Sequence, residues 1–439
     1  MLVRAAASLH CETVGVTGLS DTVRPPLQDR LFSSPGRFPG WRVVGAGLVL
    51  LTMSSGVGFY GIAVYLGAFS REFGWTVSSM SLATTVFFAV AGVAGLWVAK
   101  LNDRFDPRWT VLGGSVLAAF ALVSMGWVSE RWHLFAVYVL FSIGWSGAGL
   151  GPVTTVVTRW FHARRGAALA VASTGLSLGG VVLTGPMKWL IDSQGIASGS
   201  RWLAVAWLVG TVPVTVLFIR PHPQPYGWLP DGEPHSMGEQ VAPTGVPLAE
   251  AVRTRFFVAT SAAYLVAMAP QVGALQQVVK LAEERTGRTV ATVVTVVLST
   301  AAVVGRFAGG WLSRRAGVLR AAIAVVVVQV VTLSWLAVAD TAPVLLAAAF
   351  AFGLTVGNLL MMQSLLLAER FGVRDFPRIS ARQGLFVFTG TASGPFLLGY
   401  VHDAAGGYRS AYLAAAACSA IGALLFALAR SDARPAGQT

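Results

Sequence analysis

Long apolar runs separated by short polar segments dominate the chain. Six runs, at residues 41–69, 76–99, 109–128, 132–158, 166–191 and 202–219, precede a longer polar stretch. Six more follow it, at residues 256–279, 289–312, 318–339, 342–367, 384–401 and 408–429. Runs of about 20 apolar residues are typical of helices that cross a bilayer, and the alternating pattern of a membrane β-barrel is missing. The pattern predicts an all-α integral membrane protein with twelve transmembrane helices.

The polar segments divide the chain into five parts. Residues 1–40 have no apolar stretch long enough for a signal peptide and predict a disordered cytosolic tail. Residues 220–254 carry seven prolines and predict a cytosolic linker. This linker separates an N-terminal six-helix bundle at residues 41–219 from a C-terminal six-helix bundle at residues 255–430. Residues 431–439 form a second short cytosolic tail.

Composition excludes several classes of protein. The 439 residues are 55% hydrophobic and only 12% charged, far from the roughly 25% charged residues of soluble domains. We therefore do not expect nucleic-acid binding, despite a net charge of +13. Arginine far outnumbers lysine, and with abundant Ala, Gly and Val this favours a bacterial source. Two cysteines, Cys11 and Cys418, cannot build a disulfide framework or a Cys-based metal site, and no cofactor is expected.

The distribution of basic residues predicts the topology. With the N-terminus in the cytosol, 23 of the 32 Lys and Arg residues fall on cytosolic segments and 8 on outer segments. This bias is typical of membrane proteins, whose cytosolic loops are enriched in Lys and Arg. We expect both termini in the cytosol and a plasma or inner membrane location. The one remaining basic residue, Arg306, lies inside a span.

The two halves repeat each other at a nearly constant offset. Trp41 and Arg255 open them 214 residues apart, and the loops after the second span of each half are 211 residues apart. The first loop reads Ala-Lys-Leu-Asn-Asp-Arg-Phe-Asp at residues 99–106, and the second reads Gly-Trp-Leu-Ser-Arg-Arg-Ala-Gly at residues 310–317. A duplicated six-helix unit is a transporter design whose substrate site lies between the halves near the midplane.

These loops resemble the G-x-L-x-D-R-x-G-R-R motif of the major facilitator superfamily. The resemblance implies two pseudo-symmetric six-helix bundles in the major facilitator fold, and loop residues that hold the inward-closed arrangement by charge contacts. Positive-inside anchoring explains the arginines alone, but not the aspartate. The gating residues implied are Asp103, Arg104, Arg108, Arg314 and Arg315.

A second resemblance is to the monocarboxylate-porter and oxalate/formate-antiporter branch of that superfamily. It rests on Phe69 with Glu72-Phe73-Gly74-Trp75 after the first span, and on Arg-Trp-Phe-His-Ala-Arg-Arg-Gly at residues 159–166 before the fifth. Glycines in the fifth span, Gly175 and Gly179, complete the pattern. Glycines at this spacing let membrane helices approach closely, and we expect packing rather than ligand contact from them.

Arg306 is the charged residue that lies well inside a predicted span. It is about six residues from the cytosolic end of the eighth apolar run, roughly 9 Å along a helix, so its side chain could instead extend to the interface. The branch carries a substrate-binding arginine in the eighth span where Arg306 falls. Because a guanidinium can grip both oxygens of a carboxylate, the resemblance implies a site for a small organic anion.

Other positions narrow the expected substrate. Oxalate-type members carry a second cation in the eleventh span, whereas residues 384–392 here contain no lysine, which favours a monoanion. Gln277 replaces a histidine found in several members, and Ala302 replaces an aspartate used for proton coupling in animal members. No Asp or Glu lies inside a predicted span, so symport, exchange and facilitated diffusion all stay open. Further candidate substrate contacts are Gln271, Gln277, Asn358, Gln363, Tyr60, Tyr65 and Trp145.

Three functions compete at this point. The first is a secondary transporter of a small organic anion, a monocarboxylate, that works by alternating access as a monomer in the lipid bilayer. The second is an exporter of a lipophilic drug or metabolite, in which Arg306 is structural. The third is a membrane enzyme or non-transporting receptor. The predicted spans lack the Asp, Glu or His pair that an enzyme needs, and the tail and linker are too short for a receptor domain.

Overall fold

The secondary structure is helical, as the apolar runs predict. The computed structural model describes residue 32 and residues 38–161, 164–232, 245–372 and 374–430. Within these ranges the backbone forms helices, turns and one isolated bridge between Gly245 and Gly372. The predicted tails fall largely outside the described residues, as does the middle of the linker at residues 233–244.

The N-terminal half contains six membrane-crossing segments, called spans 1 to 6 in chain order. Span 1 contains a π-helical segment, span 4 is broken in the middle, and one long helix supplies the end of span 5 and all of span 6. The helices are Gly40–Met53, the π-helix Ser54–Tyr60 and Gly61–Phe73 in span 1, Val77–Arg104 in span 2, Pro107–Ser124 with the 3-10 turn Met125–Trp127 in span 3, Arg131–Gly147 and Leu150–Trp160 in span 4, and Arg165–Val182 and Thr184–Phe218 in spans 5 and 6.

Spans 5 and 6 are joined without a loop. By length and apolar composition the described residues contain 11 candidate spans, one of which is the 52-residue segment Ala167–Phe218. A straight helix of that length would be about 78 Å long, far more than the roughly 30 Å of a bilayer core. Gly195 breaks it, because its φ of 77° and ψ of 168° are not helical. The described residues therefore contain twelve membrane-crossing segments.

The C-terminal half contains spans 7 to 12. Span 10 is broken in the middle, as span 4 is, and span 11 starts eight residues before the predicted apolar run. This extension carries Arg378 and Arg382, so hydropathy alone does not detect it. The helices are Arg255–Thr286 in span 7, Arg288–Ala316 in span 8, Val318–Val338 in span 9, Ala342–Gly353 and Asn358–Phe371 in span 10, Phe376–Ala405 in span 11, and Tyr408–Arg430 in span 12.

The described parts of the linker pack on both halves. Its first part contains the 3-10 turns Gln224–Tyr226 and Pro230–Gly232, and the indole Nε1 of Trp228 donates to the carbonyl of Phe32 at 2.9 Å. Its last part contains the helix Leu248–Ala251. The end of the molecule at which the linker lies is called the linker end, and the opposite end is called the closed end.

Packing repeats between the halves. In the N-terminal half span 1 packs on span 5, span 2 on span 4 and span 3 on span 6. In the C-terminal half span 7 packs on span 11, span 8 on span 10 and span 9 on span 12. Adding six to both span numbers of a pair in the N-terminal half gives the corresponding pair in the C-terminal half. The structure therefore has two pseudo-symmetric six-helix bundles.

Glycine allows the closest helix contacts, as the sequence predicts. A Cβ on Gly144 would lie 2.5 Å from the backbone nitrogen of Ala118 in span 3. A Cβ on Gly175 would lie 2.3 Å from the carbonyl oxygen of Leu48 in span 1. Real Cβ atoms cannot approach other atoms so closely. These glycines therefore serve packing within the N-terminal bundle.

Candidate functional site

The two halves meet along two seams. Span 5 packs on span 8, and span 2 packs on span 11. We call these contacts the 5–8 seam and the 2–11 seam. The symmetry that relates the halves exchanges the two seams, since adding six to spans 2 and 5 gives spans 8 and 11. A site between the halves is therefore bounded by both seams.

Arg306 lies on the 5–8 seam, in the middle of span 8. Its Nη1 donates a hydrogen bond of 2.9 Å to the carbonyl oxygen of Ser173 in span 5. A Cβ on Gly357 would lie 2.7 Å from Nε of Arg306, so the guanidinium rests against the broken segment of span 10. The side chain is half-buried. The guanidinium thus bonds to the opposite half rather than extending along span 8 to the interface.

Tyr60 and Ser299 lie on the closed-end side of Arg306. A Cβ on Gly180 in span 5 would lie 2.0 Å from the hydroxyl of Ser299 and 3.0 Å from the ring of Tyr60. Tyr60 ends the π-helix of span 1 and is near enough to Arg306 for an electrostatic interaction. Sequence reasoning selected Tyr60 but missed Ser299. The sequence could have identified Ser299, because it lies seven residues before Arg306 and therefore on nearly the same helix face.

Asn358 and Gln363 lie on span 10, whose second helix begins at Asn358. The amide nitrogen of Asn358 donates to the carbonyl of Leu354 at 2.7 Å. A Cβ on Gly309 would lie 2.2 Å from the amide oxygen of Asn358, so this side chain packs one turn from Arg306 on span 8. Gln363 is buried, five residues further along the same helix.

Gln277 joins the halves at the 2–11 seam. Its amide nitrogen donates to the hydroxyl of Ser81 in span 2 and to the carbonyl of Pro395 in span 11, each at 2.9 Å. The neighbouring Gln276 donates to the carbonyl of Phe59 in span 1 at 2.7 Å. Because both nitrogens are fixed by backbone carbonyls, both amide oxygens are left buried without a partner among the described residues.

Three other predicted contacts bond within one half. Gln271 donates to the amide oxygen of Gln329 in span 9 at 2.8 Å. The hydroxyl of Tyr65 bonds to that of Ser200 in span 6 at 2.7 Å. The indole Nε1 of Trp145 donates to the carbonyl of Ser54 at 2.7 Å, at the start of the π-helix in span 1. Gln271 also donates to the carbonyl of Thr355 at 3.4 Å, in the broken segment of span 10 against which Arg306 rests. The role of these three side chains as substrate contacts stays a prediction.

The two duplicated loops lie at the linker end. Asp103 falls in the last turn of span 2, but its side chain is not among those described. Arg104 and Arg314 are exposed. Arg108 bonds to Asp106 at 2.6 Å, and Arg315 lies 4.9 Å from the ring centroid of Trp311. The inter-half charge contacts implied by the family resemblance therefore stay a prediction.

An ion pair and a charged hydrogen bond join the halves at the closed end, and sequence reasoning missed both. Arg71 in span 1 bonds to Asp192 in span 5 at 2.6 Å and also to Glu283 in span 7. Asp403 in span 11 accepts from the backbone N–H of Ser78 in span 2 at 2.8 Å. The helices extend beyond the apolar runs, so Asp192 and Glu283 lie inside helices that hydropathy ends earlier.

The fold and the duplicated halves define a membrane transporter of the major facilitator type. The chain belongs to the Major Facilitator Superfamily, whose sequence profile matches residues 48–317 and 254–439. A solved bacterial homologue of the human lysosomal transporter Spinster, in an inward-facing and unoccupied conformation, has the same fold. It superposes with a TM-score of 0.66 at 17% identity, over 90% of this chain and 98% of its own.

Three curated relatives illustrate the range of similarity. MFS transporter asaE of Aspergillus flavus is 26% identical over 332 residues, which cover 74% of this chain and 70% of that protein. Human Monocarboxylate transporter 11 is 24% identical over 424 residues, which cover 90% and 85%. The Fujikurins efflux protein of Gibberella fujikuroi is 27% identical over 158 residues, which cover 36% and 32%. The family makes this chain a membrane transporter and not an enzyme.

Proposed function

We propose that this chain is a secondary active transporter of a small organic anion, a monocarboxylate, that works by alternating access. The observation that carries the proposal is the position of Arg306. Its guanidinium lies at mid-span on the 5–8 seam and bonds a backbone carbonyl of the opposite half. A charged group at such depth is costly and usually functional. A carboxylate is a stronger partner for it than a carbonyl, because both members of the pair are then ionised.

The similarity to Monocarboxylate transporter 11 supports the same substrate class, since it extends over most of both chains. The absence of a lysine from residues 384–392 supports a monoanion over a dianion. We assign the carboxylate to Arg306, with Tyr60 and Asn358 as its nearest predicted neighbours. Gln277, Gln271, Gln363, Tyr65 and Trp145 stay predictions as substrate contacts.

The orientation we propose places the linker end in the cytosol of a cell whose plasma or inner membrane holds the protein. The excess of Lys and Arg on the segments at that end supports this choice. The closed end then faces outward, and the structure corresponds to the inward-open state. In the inward-closed state the loops of Asp103 and Arg314 would make their predicted contacts between the halves.

Transport by reconstituted protein tests the assignment. Purified protein in liposomes should take up a labelled monocarboxylate such as pyruvate, and Arg306→Ala should reduce uptake from a subsaturating concentration by at least about thirtyfold. Truncating one member of a buried, hydrogen-bonded charge pair costs about 2 kcal/mol or more, and every 1.4 kcal/mol is about a factor of ten.

Two further variants make the result specific. Arg306→Lys keeps the positive charge but loses the bidentate hydrogen bonds to a carboxylate, so uptake should fall less than in Arg306→Ala. Arg288→Ala removes an exposed arginine from the closed end of the same span and should retain most of the uptake. Full uptake by Arg306→Ala protein with an unchanged melting temperature would overturn the site.

The second candidate function is export of a lipophilic metabolite. The similarity to the Fujikurins efflux protein favours it, over about a third of the chain. Arg306 would then be structural, through its bond to Ser173. A thermal-shift screen separates the two functions, because a ligand stabilises the folded protein that binds it. Stabilisation by organic acids that disappears in Arg306→Ala favours the first function, and stabilisation by amphipathic drugs that persists favours the second.

A further inference from the structure

Two residues mark the same depth on the two seams. Arg306 lies ten residues before the end of its helix at Ala316, about 15 Å from the linker end at 1.5 Å per residue. Phe388 lies twelve residues after the start of its helix at Phe376, about 18 Å from the same end. One seam therefore presents a cation, and the other an aromatic ring, at nearly equal heights.

Phe388 contacts the opposite half, as Arg306 does. A Cβ on Gly92 in span 2 would lie 3.5 Å from Cδ1 of Phe388 and 3.9 Å from its Cβ. The side chain is nevertheless 53% exposed. A half-exposed ring beside a contact between the halves has surface left for a further partner.

Side chains on both seams are exposed on the linker-end side of these two residues. On the linker-end side of Phe388, the same face of span 11 continues with Leu385, which is 51% exposed. On span 2, the residue one turn from Gly92 toward the linker end is Leu96, which is 57% exposed. On the other seam Ala170, one turn from Ser173, is also exposed. We infer from this exposure that the space between the halves opens toward the linker end next to Arg306 and Phe388.

We propose that the substrate is an arylalkyl monocarboxylate, whose carboxylate bonds to Arg306 while its ring packs on Phe388. This inference rests on the proposed function, because it needs the anion at Arg306. Residues 384–392 carry no basic side chain, so this part of span 11 offers apolar surface and no second cation. Aromatic rings gain from packing on each other beyond the burial of their area. Phe388 would then decide which monocarboxylate the protein prefers.

Pyruvate and phenylpyruvate are suitable probes, since they differ only in the phenyl group. Full-length protein in liposomes should show a KM for phenylpyruvate at least about tenfold below that for pyruvate. Phe388→Ala should raise the phenylpyruvate KM about tenfold and leave the pyruvate KM within about twofold, because the ring contact is lost and the carboxylate contact is kept. Phe388→Leu should lie between these two proteins.

Phe386→Ala is the matched control. Phe386 is 41% exposed and two residues away, so it points about 200° around the helix from Phe388. Its replacement should leave both KM values unchanged. Equal KM values for the two acids in the unaltered protein, or an equal change for both in Phe388→Ala, would overturn the inference alone. Failure to transport either acid would overturn the proposed function together with it.

Discussion

Gln271 and Gln277 lie six residues apart on span 7 and contact different parts of the molecule. Gln277 bonds to Ser81 of the other half, whereas Gln271 bonds to Gln329 within its own half. At about 100° per residue, six residues place the two side chains roughly 240° apart around the helix. Helical periodicity therefore shows that they face different directions, although it does not show which one faces the other half.

Replacing these two glutamines separately should distinguish the two kinds of contact. Gln277→Leu removes the hydrogen bond to Ser81 that joins the two halves. The closed end should therefore open in a larger fraction of molecules, by about three- to tenfold in the equilibrium constant. The expected cost is about 1 kcal/mol for an interhelical hydrogen bond in a membrane protein. Gln271→Leu should destabilise the folded protein by a similar free energy, which is seen as a lower melting temperature. It should not change the fraction of molecules in which the closed end is open.

The measurement uses spin labels on cysteines at positions 131 and 341. Arg131 and Thr341 are exposed at the closed end, one in each half, and the native Cys11 and Cys418 are replaced by serine. Double electron–electron resonance then gives the populations of short and long distances. A shift of equal size in both variants would contradict the distinction.

Sequence could identify Arg306 but not its partner. A basic residue in an apolar run stands out at once, whereas the carbonyl of Ser173 is a backbone atom that every residue has. The ion pair between Arg71 and Glu283 was missed for a related reason. Each residue alone looks like an ordinary helix end, and they are 212 residues apart in the chain. Contacts of this kind depend on how the two halves meet, which no local pattern records.

At the scale of elements, hydropathy predicts the spans and misses their interruptions. The π-helix in span 1 and the breaks in spans 4 and 10 all lie inside continuous apolar sequence. Such irregular segments frequently occur at functional sites, and two of them touch residues of the candidate site. Tyr60 ends the π-helix, and Gly357 precedes the second helix of span 10 at a φ of 84°. The glycines of span 5 were more informative. Helices that pack closely need small residues at their contact, and these residues are visible in the sequence.

Gly180→Ala should prevent the 5–8 seam from closing fully. Its Cβ would lie 2.0 Å from the hydroxyl of Ser299 and 3.0 Å from the ring of Tyr60. Overpacking of this kind costs about 1–3 kcal/mol. This cost corresponds to a five- to hundredfold shift of the equilibrium toward molecules that are open at this end. The labels at positions 131 and 341 report this shift.

Gly185→Ala provides the matched control for this substitution. Its Cβ would meet Val296 at 3.7 Å, an ordinary contact, so the distance distribution should stay unchanged. Adding Ser299→Ala to Gly180→Ala should restore part of the closed population, since it removes the nearest clashing atom. An identical effect of both glycine substitutions would exclude the close approach as the cause.

For the whole molecule, the described ion pair between the halves, Arg71 with Glu283, lies at the closed end. Arg71 contacts Asp192 and Glu283, and Asp403 lies at the N-terminus of span 2. A carboxylate at that position is favourable because the N-terminus of a helix carries partial positive charge. Opening the closed end therefore requires charges to separate, and the linker end can open without disturbing them. With two-fold related bundles, this is the asymmetry expected of one state in an alternating cycle.

Arg71→Gln should shift the whole molecule toward the state that is open at the closed end. Glu283 would lose its partner from the other half while its side chain is only 9% exposed. We expect a cost of about 1–2 kcal/mol, between the values for exposed and buried pairs, and thus a five- to thirtyfold shift. High salt should shift the unaltered protein in the same direction to a smaller extent.

Arg201→Gln is the control for loss of charge at that end. Arg201 is exposed and bonds to the carbonyl of Ala197 on its own helix. The same distance measurement should show no shift in this variant. If both arginine variants opened the closed end equally, net charge rather than the pair with Glu283 would be responsible.

The broken segment of span 10 has an electrostatic consequence for selectivity. It places the N-terminus of the helix Asn358–Phe371 beside the guanidinium of Arg306. A helix N-terminus is equivalent to about half a positive charge, so the protein holds two positive sources next to each other in a region of low dielectric. Their mutual repulsion is relieved by an anion that binds between them, while a cation increases it. Under the proposed function, the same short break in one helix would strengthen the binding of the anion and disfavour cations, without any additional charged side chain.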